Sequence, residues 1–396
     1  MNQTNRKLLY LSGAPRVSTT VNAEMGGPKS HILGVINSFR KQGWIVTEFI
    51  FGNNFESKVN LNNSDKKLKS NLFIRVLADF YRIFIGIKNQ RAIQKKYGNQ
   101  NLKIVYERLS AFQHLGKGLH QRSDTIWVIE TNGILFLEGK KDRKGIYFST
   151  ICRYFELRAY SQCDFVITIS DELKNLIVSN FKINEKKVIV IPNGVDIERF
   201  NPERIVAKRI FDQFTIGFVG TLFDWCGLDL LIEALAEIKE EMRPKLVIVG
   251  DGISRRLFEE KVKKKGVDEY VKFIGKQPWE EIPSLIAGFD FCYSGQIETK
   301  SGKMYHSPLK IYEYLSMGKP VIASAYADAK STILDGKNGF LFIPGDKEDL
   351  IHVIHRSISS WKSGDFKMQE IRTRLKNEHS WDQRIEFLLE QLKGSL

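Results

Sequence analysis

Cysteine is scarce in this sequence. The four present, Cys152, Cys163, Cys226 and Cys292, are scattered, and no two form a C-x-x-C pair. A disulfide framework and a zinc knuckle are therefore not expected, and a reducing, cytoplasmic setting fits the thiols best. No run approaches the roughly 18 apolar residues that cross a bilayer. The stretch from Met1 to Lys7 lacks the apolar core of a secretory signal. There is no D-x-D to hold a metal-bound diphosphate, so no metal site is expected. Gly250-Asp251-Gly252 runs on to Arg255 where a dinucleotide fingerprint has its third glycine, which disfavours a hydride-transfer cofactor.

What is present describes a globular chain of 396 residues, 42% hydrophobic and 27% charged, too long for one ordinary core. Two domains are the default. The net charge of +14 asks for an anionic partner. No motif interleaves aromatic and basic residues for stacking on bases, so nucleic acid is not the expected partner. The stretch 53–103 concentrates lysine and arginine against Glu56, Asp65 and Asp79 alone. Within it, Leu72 to Lys88 places apolar residues at helical spacing with Arg75, Arg82 and Lys88 between them. Two readings are open: a basic amphipathic helix lying on an anionic membrane, or a solvated helix packing its apolar face on its own domain.

Short apolar runs alternate with helical patterns, which predicts an α/β chain with mainly parallel sheets. Six such runs, from 7–11 to 188–191, suit one sheet, and six more, from 215–219 to 339–342, suit a second. The turn cluster Pro192-Asn193-Gly194-Val195-Asp196 with Asn201-Pro202 separates them. Expected domains are 1–197, 198–378 and a closing helical segment 379–396. Each half reads as a doubly wound sheet, whose ligands sit outside the carboxyl ends of the strands, so a cleft between the halves is the expected site.

The segment Ser307 to Ala323 is the most informative. Ser307 suits a helix N-cap, Pro308 the first helical position, and Gly318 the end. Leu309 is followed by Lys310, a cation in the first turn, where it opposes the helix dipole unless something anionic sits in front of it. Glu313 lies one turn on, on the same face. The two either pair with each other or, with the helix amides, hold a diphosphate and a ribose. Gly26-Gly27-Pro28-Lys29 repeats the design at an earlier helix start, with glycines that let a ligand approach. Gly220-Thr221 and Gly250-Asp251 follow strands of the second half.

The ordered landmarks Gly26-Gly27, Ile167 to Leu173, Ile191 to Asp196 with Phe200, Val249 to Gly252, Phe273-Ile274-Gly275 and Ser307 to Ala323 resemble the retaining, metal-independent GT-B glycosyltransferases of family four. The likeness runs from about residue 8 to 392. It implies two Rossmann-like domains, a nucleotide diphosphate sugar as donor substrate and no cofactor. By position, Ile274 and Gly275 would border the base and Glu313 the ribose. Leu309 and Lys310 would border the diphosphate, with Gly26 and Gly27 closing over it. The family's paired glutamates leave only Glu313, since Tyr305 stands at the first position. Thr221 and Cys226 replace its two phosphate-binding cations, and Asn132 replaces a histidine. Lys310, with Lys300, Lys303 or Arg108, can restore positive charge. Glu107, Arg108, Glu130 and Asn132 are candidates for the acceptor side.

The expectation is thus sugar transfer with retention to a saccharide or lipid-linked acceptor at the cytoplasmic membrane face, in surface polysaccharide or glycoconjugate assembly. A catalytically silent GT-B subunit that activates a partner enzyme, and a basic nucleic-acid-binding protein, are the alternatives.

Overall fold

The computed structural model describes residues 6–20, 26–54, 71–121, 124–298, 302 and 304–396. Lys300 and Lys303 lie outside the described residues. The chain divides into two compact units, 1–192 with 381–396, and 193–380.

The first unit is built on β1 (Lys7–Ser12), β2 (Ile45–Ile50), β3 (Ile104–Arg108), β4 (Ile126–Thr131), β5 (Phe165–Thr168) and β6 (Val188–Val190), in the order β2-β1-β3-β4-β5-β6. Every pairing is parallel. The central strands are buried on both faces: Leu8 to Leu11 and Trp127 to Ile129 are all sealed from solvent. That is why they read as continuous apolar runs rather than alternating ones. From β1 the chain steps outward to β2 and then returns to the other side of β1 as β3, which makes the β1/β3 edge a topological switch point.

The second unit carries β7 (Thr215–Val219), β8 (Lys245–Val249), β9 (Val271–Gly275), β10 (Phe291–Ser294), β11 (Val321–Ser324) and β12 (Gly339–Phe342), in the order β12-β11-β10-β7-β8-β9. These pairings are parallel too. One face packs Ile216, Phe218, Leu246 and Ile248 against the helix Leu228–Glu237. The other packs Val247, Val249 and Cys292 against the helix Leu309–Ser316. The switch point lies between β7 and β10. Both units are therefore doubly wound α/β folds of the Rossmann type.

The terminal helix Trp381–Leu392 belongs to the first unit, where it lies along the helix Gly26–Lys41. Gly34 makes the contact possible, because a Cβ there would fall 2.1 Å from the Trp381 indole. Around this contact, Asp382 accepts from Ser38 at 2.5 Å and pairs with Lys41 at 2.9 Å. His31 meets the Trp381 ring edge-on. Trp381 is only 5% exposed. Trp381→Ala is expected to remove about 3–5 kcal/mol by leaving a cavity, read as a lower midpoint in thermal unfolding. An unchanged midpoint would mean that the helix contributes little to the first unit.

Candidate active site

In the second unit, three loops meet at the carboxyl ends of β7, β8 and β9. Gly220 N donates to Val249 O at 3.0 Å, and Gly250 N donates to Gly275 O at 2.8 Å. Gly250 has φ +135°, and a Cβ on it would stand 1.9 Å from Gly220 O. Only glycine lets these backbones cross. The Asp251 carboxylate accepts from Gly252 N at 2.7 Å, which fixes the turn. Thr221 is exposed and Ile274 half-buried on the same rim. Arg255, which replaces the fingerprint glycine, is taken up by Glu259 at 2.7 Å.

Lys310 enters this rim from the helix Leu309–Ser316. The sequence places Ser307 as its N-cap, but the Ser307 hydroxyl instead accepts from Asn193 N at 3.0 Å, and the helix starts after Pro308 without a side-chain cap. The competing partner is the Asn193 turn, which needs a polar anchor where it is buried. Lys310 Nζ sits 3.8 Å from the centre of the Phe218 ring and 2.8 Å from where a Gly220 Cβ would be. The ring face attracts the cation. Burial nevertheless lowers the ammonium to a pKa of about 8, with Cys226 and Glu313 pulling the other way. Cys226 is itself buried, and its thiol is pushed up to about 11.

Glu313, one turn beyond Lys310, lies in the field of both Lys310 and Arg199. Sequence reasoning passed over Arg199, although it stands beside Phe200 in one of the quoted landmarks. Its guanidinium lies 3.1 Å from the centre of the Trp279 ring and donates to the Trp279 carbonyl. Burial brings it down to about 10 against the attraction of Glu313, Asp196 and Glu280, and its Nε is buried without a partner. Tyr305, where the resemblance leads one to expect a glutamate, is buried and stacked on His306.

The first unit gathers a separate polar cluster at the carboxyl ends of β3 and β4, next to its switch point. Glu130, 2% exposed, receives His31 Nε2 at 2.8 Å, Arg108 at 3.3 Å, Asn132 Nδ2 at 2.9 Å and the Tyr106 hydroxyl at 2.6 Å. Burial by itself would raise this carboxyl, but His31, Arg108 and Tyr106 hold it down at about 2. Asn132 Oδ1 and Ser12 Oγ are buried there without hydrogen-bond partners.

Neighbouring residues of a strand face opposite sides, and Glu107 turns away from Arg108. Its carboxylate accepts Leu115 N at 2.7 Å, Gly116 N at 2.8 Å and Trp127 Nε1 at 3.0 Å, which ties down the loop after β3. Burial raises it to about 7. Gly26 and Gly27 are the exposed first residues of the helix Gly26–Lys41, while Lys29 is buried. Within the second unit the structure thus links Gly220, Gly250, Gly275, Lys310 and Glu313. Within the first it links Arg108, Glu130 and Asn132, and sets Glu107 apart.

Known proteins resemble this chain in sequence and in fold. Residues 201–377 match the model of Glycosyl transferases group 1, and residues 25–199 that of Glycosyltransferase Family 4. An uncharacterized glycosyltransferase of Methanocaldococcus jannaschii is 22% identical over 321 residues, 79% of this chain and 76% of the relative. The crystal structure of a glycosyltransferase from Rickettsia africae superposes with a TM-score of 0.69 at 19% identity, over 99% of this chain and 98% of that one. HepE of Anabaena, solved with UDP-glucose, gives 0.66 at 17% identity, over 98% and 99%. With both halves matched in order and the fold shared along its length, the chain belongs to the glycosyltransferases of the GT-B fold.

Proposed function

We propose that this protein transfers a sugar, with retention, from a nucleotide diphosphate sugar to a saccharide or lipid-linked acceptor, in the assembly of surface polysaccharide or glycoconjugate at the cytoplasmic membrane face. The observation that carries the reading is the Lys310 ammonium, held in a partly desolvated niche against Phe218 and Gly220 at the switch point of the second sheet. A folded chain keeps a cation there at a cost unless an anion fills the space, and a diphosphate at a helix start is such an anion. Lys310 and the amides of its helix would neutralise the leaving diphosphate, so that this role needs no metal ion. Glu313 would take the ribose hydroxyls, Ile274 and Gly275 would border the base, and the loops at Gly220-Thr221 and Gly250-Asp251 would line the phosphates. Arg108, Glu130 and Asn132 would meet the acceptor or the donor sugar, with the unpartnered Asn132 Oδ1 open to a hydroxyl.

A second reading, a catalytically silent subunit, draws on the burial of Cys226 and Tyr305 where the family has a cation and a glutamate. The test is a thermal-shift panel of UDP, GDP and ADP and their sugars. Uridine nucleotides come first, because HepE was solved with them. One nucleotide family is expected to stabilise the protein, and Glu313→Ala to weaken that nucleotide by roughly 10- to 100-fold, the worth of a hydrogen bond to a charged group. Stabilisation by none, or an unaffected Glu313→Ala, would contradict the site. Donor hydrolysis by the purified protein alone would remove the silent-subunit reading.

A further inference from the structure

The first half of the helix Leu72–Tyr97 turns its largest apolar side chains outward. Asn71 caps its start by accepting from Phe73 N and Ile74 N. Its buried side carries Asp79, Gly86 and Asn89 beside Ile85, Ile93 and Tyr97, while Phe73, Phe80 and Phe84 stand 68%, 58% and 64% exposed. Asp79, the helix's one acidic residue, is turned inward. There it accepts from Arg82 at 2.5 Å and from the backbone N–H groups of Tyr147 and Phe148. Arg82 also donates to Gly145 O, and the Phe80 ring meets Phe148 edge-on. This polar lock fixes the rotation of the helix, so the outward face is set by the fold.

That face has an order along its length. Phe73, Leu77, Phe80 and Phe84 follow one another at spacings of three and four, which keeps them on one stripe. The stripe continues into Lys88, Arg91 and Lys95, all exposed. From Phe73 to Arg91 it runs about 27 Å at the rise of an α-helix. Exposed Tyr147 extends the apolar end, and the exposed Lys140, Lys141 and Lys144 lie in the segment leading to it. Contiguous apolar patches of this kind mark interaction surfaces. An apolar stripe with cations at its end and margin, and no exposed carboxylate on the helix, complements one surface in particular: acyl chains beneath anionic headgroups.

We propose that the outward face of the Leu72–Tyr97 helix, extended by Tyr147, seats the first unit on an anionic lipid bilayer. The aromatic half enters the headgroup boundary, and Lys88, Arg91 and Lys95 contact lipid phosphates. This inference rests on the membrane-face part of the proposed function and names its surface, but it needs no donor or acceptor, so vesicle binding and nucleotide binding can fail separately.

The experiment is co-sedimentation of the full chain with vesicles of phosphatidylcholine alone and of phosphatidylcholine with phosphatidylglycerol, at low and high salt. Binding is expected to the anionic vesicles and to weaken with salt. Phe73→Ser/Phe84→Ser is expected to lower it at least about tenfold. Lys88→Glu/Arg91→Glu is expected to lower binding to the anionic vesicles by roughly tenfold or more. Both variants should keep the wild-type unfolding midpoint and nucleotide response. Wild-type protein left in the supernatant, or variants that sediment as it does, would overturn the proposal. So would a wild-type dimer that the serine variant dissolves, which would make a second copy the occupant. A distinctly lower midpoint in the serine variant would show that the chain covers this face itself.

Discussion

Replacing Lys310 with methionine is expected to make the protein more stable and nearly blind to its nucleotide. Methionine keeps the unbranched stem against Phe218 and removes the ammonium. The free chain binds this proton with a pKa of about 8 instead of 10.5. At 1.36 kcal/mol per unit, the desolvated cation costs the folded state up to about 3 kcal/mol. The sign follows from the order of the two values. Below pH 8 both states carry the proton and the penalty is complete; between 8 and 10.5 the folded state sheds it first and stability recovers. At neutral pH, Lys310→Met should therefore raise the unfolding midpoint by several degrees, at about 2–4 °C per kcal/mol for a unit of this size. Nucleotide affinity should fall by about 100-fold, since a charge-assisted bond to a diphosphate is lost. A gain in stability with a loss of binding is the mark of a residue kept for function. A variant that loses both would mean that Lys310 is a structural cation.

The second large effect is expected at Glu130. Four side chains converge on this carboxylate, and Glu130→Ala would leave the buried His31 and Tyr106 and the half-buried Arg108 and Asn132 without it. Breaking such a buried pair costs about 3–5 kcal/mol, or roughly 10 °C in the midpoint of the first unit. The pH dependence points the same way. With a folded pKa of about 2 against 4.5, the carboxylate stabilises the fold fully above pH 4.5 and loses that contribution as pH falls toward 2. Wild type should weaken in acid more steeply than Glu130→Ala. Parallel acid profiles of the two proteins would count against the network.

The strands were legible because parallel strands buried on two faces must be apolar throughout. All twelve appear, with ends shifted by at most two residues from those expected. Their order was not legible, since which side of β1 or β7 a returning strand takes leaves no local mark. The Lys310 segment stood out because a lysine in a first helical turn conflicts with the dipole. Its niche did not, because Phe218 and Gly220 come from a strand some ninety residues away. Ser307 had the chemistry of an N-cap, yet the distant Asn193 claimed its hydroxyl. Glu107 and Glu130 looked alike as acids near strand ends. Strand parity separated them, sending one to tie a loop and the other into the cluster. Arg199 escaped notice because an arginine beside a phenylalanine says nothing until Trp279 is stacked beneath it. For the helix Leu72–Tyr97 the apolar stripe was plain in the sequence, but its direction depended on Asp79 finding the amides of Tyr147 and Phe148.

The most direct test is calorimetric titration of the nucleotide diphosphate selected by the thermal-shift panel, repeated from pH 6.5 to 10. If the Lys310 ammonium is the counter-charge of the diphosphate, affinity is constant up to about pH 7.5 and then weakens toward tenfold per pH unit above 8, while Lys310→Met binds weakly and without that dependence. Wild-type affinity that stays constant through pH 10, or a methionine variant that follows the same curve as wild type, would contradict the account.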